Sequence, residues 1–140
     1  MYPDGADRIE WLPEYDNENI VEEVFNRCDV IVVPSIWDEN SPLVIHEAQQ
    51  CGVAVITADH GGMGEYVQDG VNGLTFTHRD VESLRSSMQR ALENPDHVTH
   101  LGRRGYLHSD DGQIPSKELH AFEVLRCYEQ LLSKKMEVTY

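Results

Sequence analysis

The sequence predicts a layered α/β fold, a parallel sheet with helices on both faces. Three observations predict it. Asp29 to Val33 (DVIVV) and Val53 to Thr57 (VAVIT) are continuous apolar, largely β-branched runs, the pattern of strands buried on both faces of a parallel sheet. Segments of helical periodicity separate the runs, as in βαβ units joined by right-handed crossovers. The predicted order, β-α-β-α-β-β-α-α, contains no repeat. At 140 residues and 40% hydrophobic content, the chain is long enough for one core and too short for two ordinary domains, so residues 1–140 read as a single domain.

Arg8 to Leu12 (RIEWL) reads as a short strand and Pro13 to Asn19 as a polar loop. Asn19 and Glu22 then have capping-box spacing, and Ile20, Val21, Val24, Phe25 and Cys28 fall on one face of a helix ending near Arg27. The strand Asp29 to Val33 is closed by Pro34. Beyond a loop, Pro42 to Cys51 reads as a helix with Ser41 at the N-cap, proline at its first position and Gly52 just past its end. The strand Val53 to Thr57 leads into a glycine-bearing loop, Asp59 to Gly64. Gly70 to Gly73 marks a turn, and Leu74 to Phe76 a short strand. Asp80 caps a helix striped by Val81, Leu84, Met88 and Leu92, stopped by Asn94-Pro95. His97 to Gln113 reads as a polar connection to a last helix opened by Pro115-Ser116, with Leu119, Phe122, Leu125, Tyr128 and Leu132 along one face.

Charge narrows the function. Acidic residues outnumber basic ones 25 to 11, a formal charge of −14, so the mean field repels nucleic-acid backbones and anionic lipid headgroups. No apolar run approaches the roughly 20 residues of a bilayer span, and the polar start is unlike a signal peptide, so the expectation is a cytoplasmic protein without membrane insertion. Cys28, Cys51 and Cys127 are odd in number and widely spaced, and read as small buried residues rather than disulfide or zinc partners.

In open α/β sheets, ligands sit beyond the carboxyl ends of the strands. Ser35 to Ser41 and Ala58 to Gly64 occupy that place. The densest chemistry is in P-S-I-W-D-E-N-S-P-L-V-I-H-E-A, Pro34 to Ala48, which runs from a strand end into a helix. The first-turn amides and the positive end of the macrodipole suit such a terminus to a diphosphate. Pro42 has no N–H, but the amides of Leu43 and Val44 remain. Glu47 falls four residues after Leu43 on the same helical face, where a carboxylate can accept two hydrogen bonds from a ribose diol. Glu39, in the loop, is placed to hold sugar hydroxyls. Either acid alone reads as an ordinary surface carboxylate.

Together they resemble the E-x7-E signature of retaining GT-B glycosyltransferases of the group 1, family-4 type. R-C-D-V-I-V-V-P-S (Arg27 to Ser35) is similar to the strand entering that motif, and E-A-Q-Q-C-G-V-A-V-I-T (Glu47 to Thr57) to the helix and strand leaving it. G-G-M-G-E-Y-V-Q-D-G-V-N-G-L (Gly61 to Leu74) resembles the glycine loop and turn that follow. The agreement runs from about Arg8 to Asn94, which is more specific than an isolated motif. The resemblance implies the nucleotide-sugar-binding C-terminal domain of such an enzyme, a Rossmann-like sheet lacking its earlier strands. It implies Glu47 as the ribose ligand and Glu39 as the catalytic-site contact to the donor sugar. Asn40, Ser41, Pro42, Leu43 and Val44 would line the sugar and phosphates, with His60, Gly61 and Gly62 in a loop of the cleft. The implied reaction is metal-independent and needs no cofactor beyond the nucleoside diphosphate sugar.

Two departures qualify this. The family often has glycine where Pro42 stands, which removes one backbone donor. The family's basic phosphate ligands lie in an earlier βα unit, and its acceptor-binding domain is separate. The expectation is therefore a half-site that does not turn over alone, its partner being the missing N-terminal, acceptor-binding domain or a separate subunit; self-association into a homodimer is expected besides. A non-catalytic sugar-nucleotide-binding module is the alternative, and a related epimerase or hydrolase a more distant one.

The remaining candidates are weaker. His46-Glu47 begins like H-E-x-x-H, but Gln50 stands in the second histidine's place. Gly62-Met63-Gly64 lacks the third glycine of a dinucleotide fingerprint. Asp16-Asn17-Glu18 reads as a helix-entry turn rather than D-x-D, and His97 and His100 as solvated. Trp37 reads either as a stacking surface for a ligand or as loop packing against the sheet.

Overall fold

The computed structural model describes residues 8–14 and 16–137. Its centre is a parallel sheet of β1 (Val30–Val33), β2 (Ala54–Ala58) and β3 (Gly73–Phe76), in that spatial order. Val30 pairs with Ala54 and Val55 with Gly73. Every residue of the central strand is buried, so both sheet faces are covered, as the β-branched runs predict. β1, at one edge, is only half-buried.

The α-helices among the described residues are α1 (Ile20–Glu23), α2 (Leu43–Gln50), α3 (Gly61–Tyr66), α4 (Val81–Glu93), α5 (Pro95–Arg104) and α6 (Lys117–Glu137). α2 and α3 pack on β2. The α4–α5 pair meets the face bearing Val30, Val32 and Ile56, leaving an apolar cavity of about 370 Å³ beside the start of β1. The core joins Phe25, Ile45, Ala48, Val55, Met63, Val67, Leu74 and Leu101.

Several expectations are corrected. Residues 9–14 form no strand; an extended run needs a ladder partner, and none pairs with them among the described residues. The predicted helix from Asn19 to Arg27 breaks into a 3-10 turn at Asn17–Asn19, the single turn α1 and another 3-10 turn at Phe25–Arg27. Asn19 makes no side-chain cap; Asp16 accepts the Glu18 amide instead. α2 begins at Leu43, because Pro42 is extended (φ −63°, ψ 115°) and is itself the cap, which moves Ser41 outside the helix. At its other end Gly52, at φ +71°, closes a Schellman motif: Gly52 N donates to Gln49 O (3.1 Å) and Val53 N to Ala48 O (2.9 Å). The glycine loop is helical from Gly61, and the polar stretch after Asn94 contains α5, with Pro95 in its first turn. Cys28 and Cys51 are half-buried and Cys127 is exposed, so none is the fully buried residue expected.

The stripe of α4 is only in part its packing face, Leu84 alone of the four lying against the core. Val81 and Leu92 are 76% and 82% exposed, while Ser87 and Ala91 are buried. Small side chains let the helix approach the sheet, and Ser87 Oγ donates to Thr75 O at 2.8 Å. In α6 every residue from 117 to 133 is exposed, including the whole predicted apolar stripe. One buried side chain ties distant turns together. Asn72, 1% exposed, accepts the Gln68 amide on Oδ1 (2.8 Å) and donates from Nδ2 to Tyr66 O (2.8 Å) and Gly105 O (3.0 Å). The next residue, Gly73, lies so close to β2 that a Cβ there would overlap Val55 O.

Candidate functional site

Three loops meet at the carboxyl ends of the strands: 34–42 after β1, 59–60 after β2 and 77–80 after β3. The first carries Glu39 in a tight turn, with Glu39 N donating to Trp37 O at 2.9 Å. Ser35 Oγ accepts the Trp37 amide at 3.3 Å and donates to Glu39 Oε1 at 3.0 Å, so the carboxylate is oriented from its own loop. Gly62 N donates to Glu39 O at 2.8 Å, joining α3 to the loop by backbone alone. That approach requires the two glycines. Gly61 is left-handed (φ +56°) and a Cβ there would come within 2.9 Å of Glu39 O, while one at Gly62 would overlap the Asn40 carbonyl.

Side chains from the other two loops hold the same segment. His60 Nε2 meets Asp38 Oδ1 at 2.6 Å, and the His60 ring stacks on His78 with centroids 4.1 Å apart and planes 3° from parallel. His78 Nε2 and the Arg79 guanidinium face the Ile36 carbonyl at 3.3 and 3.4 Å, and Asp59 Oδ1 accepts the His78 amide at 2.9 Å. The hydrogen bond from His60, then its charge, holds the Asp38 carboxyl below its usual range. Trp37 is 75% exposed, so packing against the sheet is not its role.

Beyond the loop, Leu43 and Val44 open α2, where first-turn amides have no partner within the helix. Glu47 lies half-buried in the second turn, on the side of the exposed Leu43. The two acids thus bracket the amino end of α2. Asn40 is exposed, with its backbone against Gly62. Ser41 does not cap; its Oγ lies 2.8 Å from His46 Nε2. His46 meets Tyr66 edge-on at 4.4 Å and Tyr106 at 5.9 Å. Burial pushes its pKa down, opposed by the Gln49 side chain and the Glu47 charge. Burial, reinforced by Glu47, pushes the Cys51 thiol up. Among the described residues, no group of three or more His, Cys, Asp or Glu side chains is arranged to hold a metal ion.

Sequence reasoning missed Asp38, His78 and Arg79 at this rim, and His46 behind it. The signal for the second and third was available: T-H-R-D follows a strand, and strand-end loops are where ligand sites form.

A family-wide sequence profile described as "Glycosyl transferases group 1" matches residues 4–108. The chain belongs to the group 1 glycosyl transferases. Among its relatives, the D-inositol 3-phosphate glycosyltransferase of Gordonia bronchialis is 30% identical over 105 residues, covering 75% of this chain and 22% of the relative. The same-named protein of Mycolicibacterium vanbaalenii is 43% identical over 75 residues, covering 54% and 16%. The chain therefore spans less than a quarter of the length of these relatives. Sucrose-phosphate synthase from Thermosynechococcus elongatus superposes with a TM-score of 0.71 at 26% identity, covering 91% of this chain and 31% of that one. Anabaena HepE, solved in complex with UDP-glucose, superposes at 0.54 with 29% identity, covering 56% and 22%. The architecture is that of the GT-B group 1 transferases.

Proposed function

We propose that this chain supplies the donor-binding half of a glycosyl-transfer site for a nucleoside diphosphate sugar. The observation carrying the proposal is the pair of acids bracketing α2, with Glu39 held at the strand ends by Ser35 and Gly62 and Glu47 one turn inside the helix. Glu47 accepts the ribose diol, the amides of Leu43 and Val44 take phosphate oxygens, and Glu39 and Asn40 contact the sugar, with Ser41 and Pro42 completing the wall. His60, Gly61 and Gly62 set the height of the Glu39 loop. The chemistry is retaining and uses neither metal nor cofactor. HepE was solved with UDP and with UDP-glucose, which makes uridine donors the first to try.

The single unit formed by residues 1–140 needs a partner domain to act. Transfer requires an acceptor oriented against a dry, charge-stabilised donor, and this chain supplies one wall of that cleft. Calorimetry with UDP and UDP-glucose tests the reading. Glu47→Gln is expected to weaken both by roughly ten- to hundredfold, the worth of a charge-assisted hydrogen bond of about 1.5–3 kcal/mol. Glu39→Ala is expected to weaken UDP-glucose more than UDP. Unchanged affinity in folded Glu47→Gln would reject the ribose role. Donor-dependent product formed by this chain alone, and lost in Glu39→Ala, would reject the half-site.

A further inference from the structure

Helix α2 holds two enclosed polar atoms without partners. His46 Nδ1 and Gln49 Oε1 are buried and unbonded, although buried polar groups are nearly always paired. Their residues stand three apart, on one side of the helix. The Gln49 amide is oriented by its other end: Nε2 donates to Tyr66 O at 2.9 Å, and turning it over would set two oxygens against each other. Oε1 is therefore fixed as an acceptor on the side of His46, and Gln49, only 2% exposed, has no water-facing alternative.

A neutral imidazole carries one hydrogen, and the bond made at one nitrogen decides the role of the other. Burial favours the neutral ring here, and the Gln49 side chain favours a hydrogen on it. Placing that hydrogen on Nδ1 points it toward the Gln49 side chain, so that a small turn of the ring or of the amide would pair it with Oε1 and answer both orphaned atoms. Nε2 must then accept. Its neighbour at 2.8 Å is Ser41 Oγ, whose hydrogen is consequently turned toward the ring. What Ser41 presents to the cleft is an oxygen with lone pairs and no hydrogen. Such an oxygen accepts from a hydroxyl or an N–H and repels a phosphate oxygen.

We propose that His46, held by Gln49 with its hydrogen on Nδ1, positions Ser41 as an acceptor-only contact that selects a hydroxyl or N–H of the donor sugar and not its diphosphate. The ligand half of this rests on the function proposed above; the orientation of the relay does not. It divides the wall between Glu39 and α2, assigning Ser41 to the sugar and leaving the phosphates to the backbone of Leu43 and Val44.

Two measurements test it. Long-range proton–nitrogen correlation on the ligand-free, nitrogen-15-labelled chain, above the ordinary histidine pKa, is expected to show a hydrogen-bearing Nδ1 and a bare Nε2 at His46. Gln49→Leu is expected to abolish that preference. A hydrogen on Nε2 in the unmodified chain overturns the relay, and needs no variant to fold. Calorimetry on Ser41→Ala is expected to weaken UDP-glucose by about fivefold, one ordinary hydrogen bond, and leave UDP unchanged. Equal loss of both, or no loss of UDP-glucose, overturns the sugar assignment. A parent chain that binds neither nucleotide overturns the functional reading and the ligand given to Ser41, while the tautomer result stands by itself.

Discussion

The amide of Gly62 donates to the carbonyl of Glu39 at 2.8 Å, and no atom larger than hydrogen fits on the Gly62 α-carbon beneath the Asn40 carbonyl. Gly62→Ala must therefore displace the loop carrying the candidate sugar ligand. The expected cost is about 1–3 kcal/mol, typical of overpacking, accompanied by weaker UDP-glucose binding. Gly64, in the same helix, is the control. A Cβ there meets Asp59 only at ordinary contact, 3.5 Å, and alanine is the better helix former by up to about 1 kcal/mol. Thermal unfolding should separate them, with Gly64→Ala neutral or stabilising. Equal losses in both would refute the close-approach argument.

His46 makes stability depend on pH in a stated direction. Its pKa is pushed below the ordinary 6.5, chiefly by burial, so between that value and the lowered one the unfolded chain binds more protons than the folded one. Its contribution is complete above 6.5 and falls as pH drops through that window. Asp38 and Asp69, whose carboxyls are depressed, act separately, from their ordinary 3.8 downward. Chemical denaturation of the parent and His46→Asn at a series of pH values should show a difference in slope confined to the histidine window. Identical slopes would refute it.

Asp69 joins three elements. Its Oδ1 accepts from the Thr75 amide at 2.9 Å and Arg90 grips both oxygens at 3.1 Å. Burial raises its pKa, but Arg90 and Thr75 outweigh that, leaving a net depression. Both side chains are more than two-fifths exposed, so the ion pair alone contributes about 0.2–1 kcal/mol, whereas losing Asp69 also strips the β3 amide. Asp69→Ala should cost about 1–2 kcal/mol and Arg90→Ala about 0.5 kcal/mol. Equal costs by denaturant titration would give the dominant role to the ion pair.

The exposed stripe of α6, from Leu119 at 49% to Leu132 at 64%, is expected to drive the isolated chain into a symmetric dimer. Burying each large apolar side chain gains about 1.5–3 kcal/mol. Light scattering over a concentration series should show the doubled mass, and Phe122→Asp with Leu125→Asp should remove it. A strictly monomeric parent would reject the dimer.

What the sequence disclosed and what it hid divide along local and non-local physics. β1 and β2 were legible because β-branched runs speak for themselves, and Asp80, whose carboxylate accepts the Ser83 amide at 3.0 Å, is a cap readable from its neighbours. Gly52 was legible for the same reason. RIEWL failed because a ladder needs a partner elsewhere. GGMGEY is poor helix material, and it forms α3 where Gly62 bonds to Glu39 O and Met63 is fully buried. Pro95 carries the local signal of a stop, yet it opens α5, whose buried residues are Val98, Leu101 and Gly102. In α4 the apolar period marks Val81 and Leu92, which face solvent, while the small Ser87 and Ala91 pack alongside Leu84 and carry no such signal. At the site, the spacing of Glu39 and Glu47 is visible in the sequence, while the Ser41–His46 contact depends on Pro42 being extended ahead of α2, which no local pattern announces.

Asn72 and Gly73 carry a chemical liability alongside their structural one. The fold demands asparagine at the first position, where one amide bridges three backbone groups, and glycine at the second, where β2 leaves no room for a Cβ. An Asn-Gly pair is also prone to cyclise and deamidate, because a glycine without a Cβ leaves its amide unhindered. In the folded chain three hydrogen bonds hold the Asn72 amide in place. In an opened chain it is not held, and the resulting carboxylate would return to face the carbonyls of Tyr66 and Gly105 in a buried site. Each excursion from the native state thus exposes this pair to an irreversible change, against which the same three hydrogen bonds restrain the folded chain.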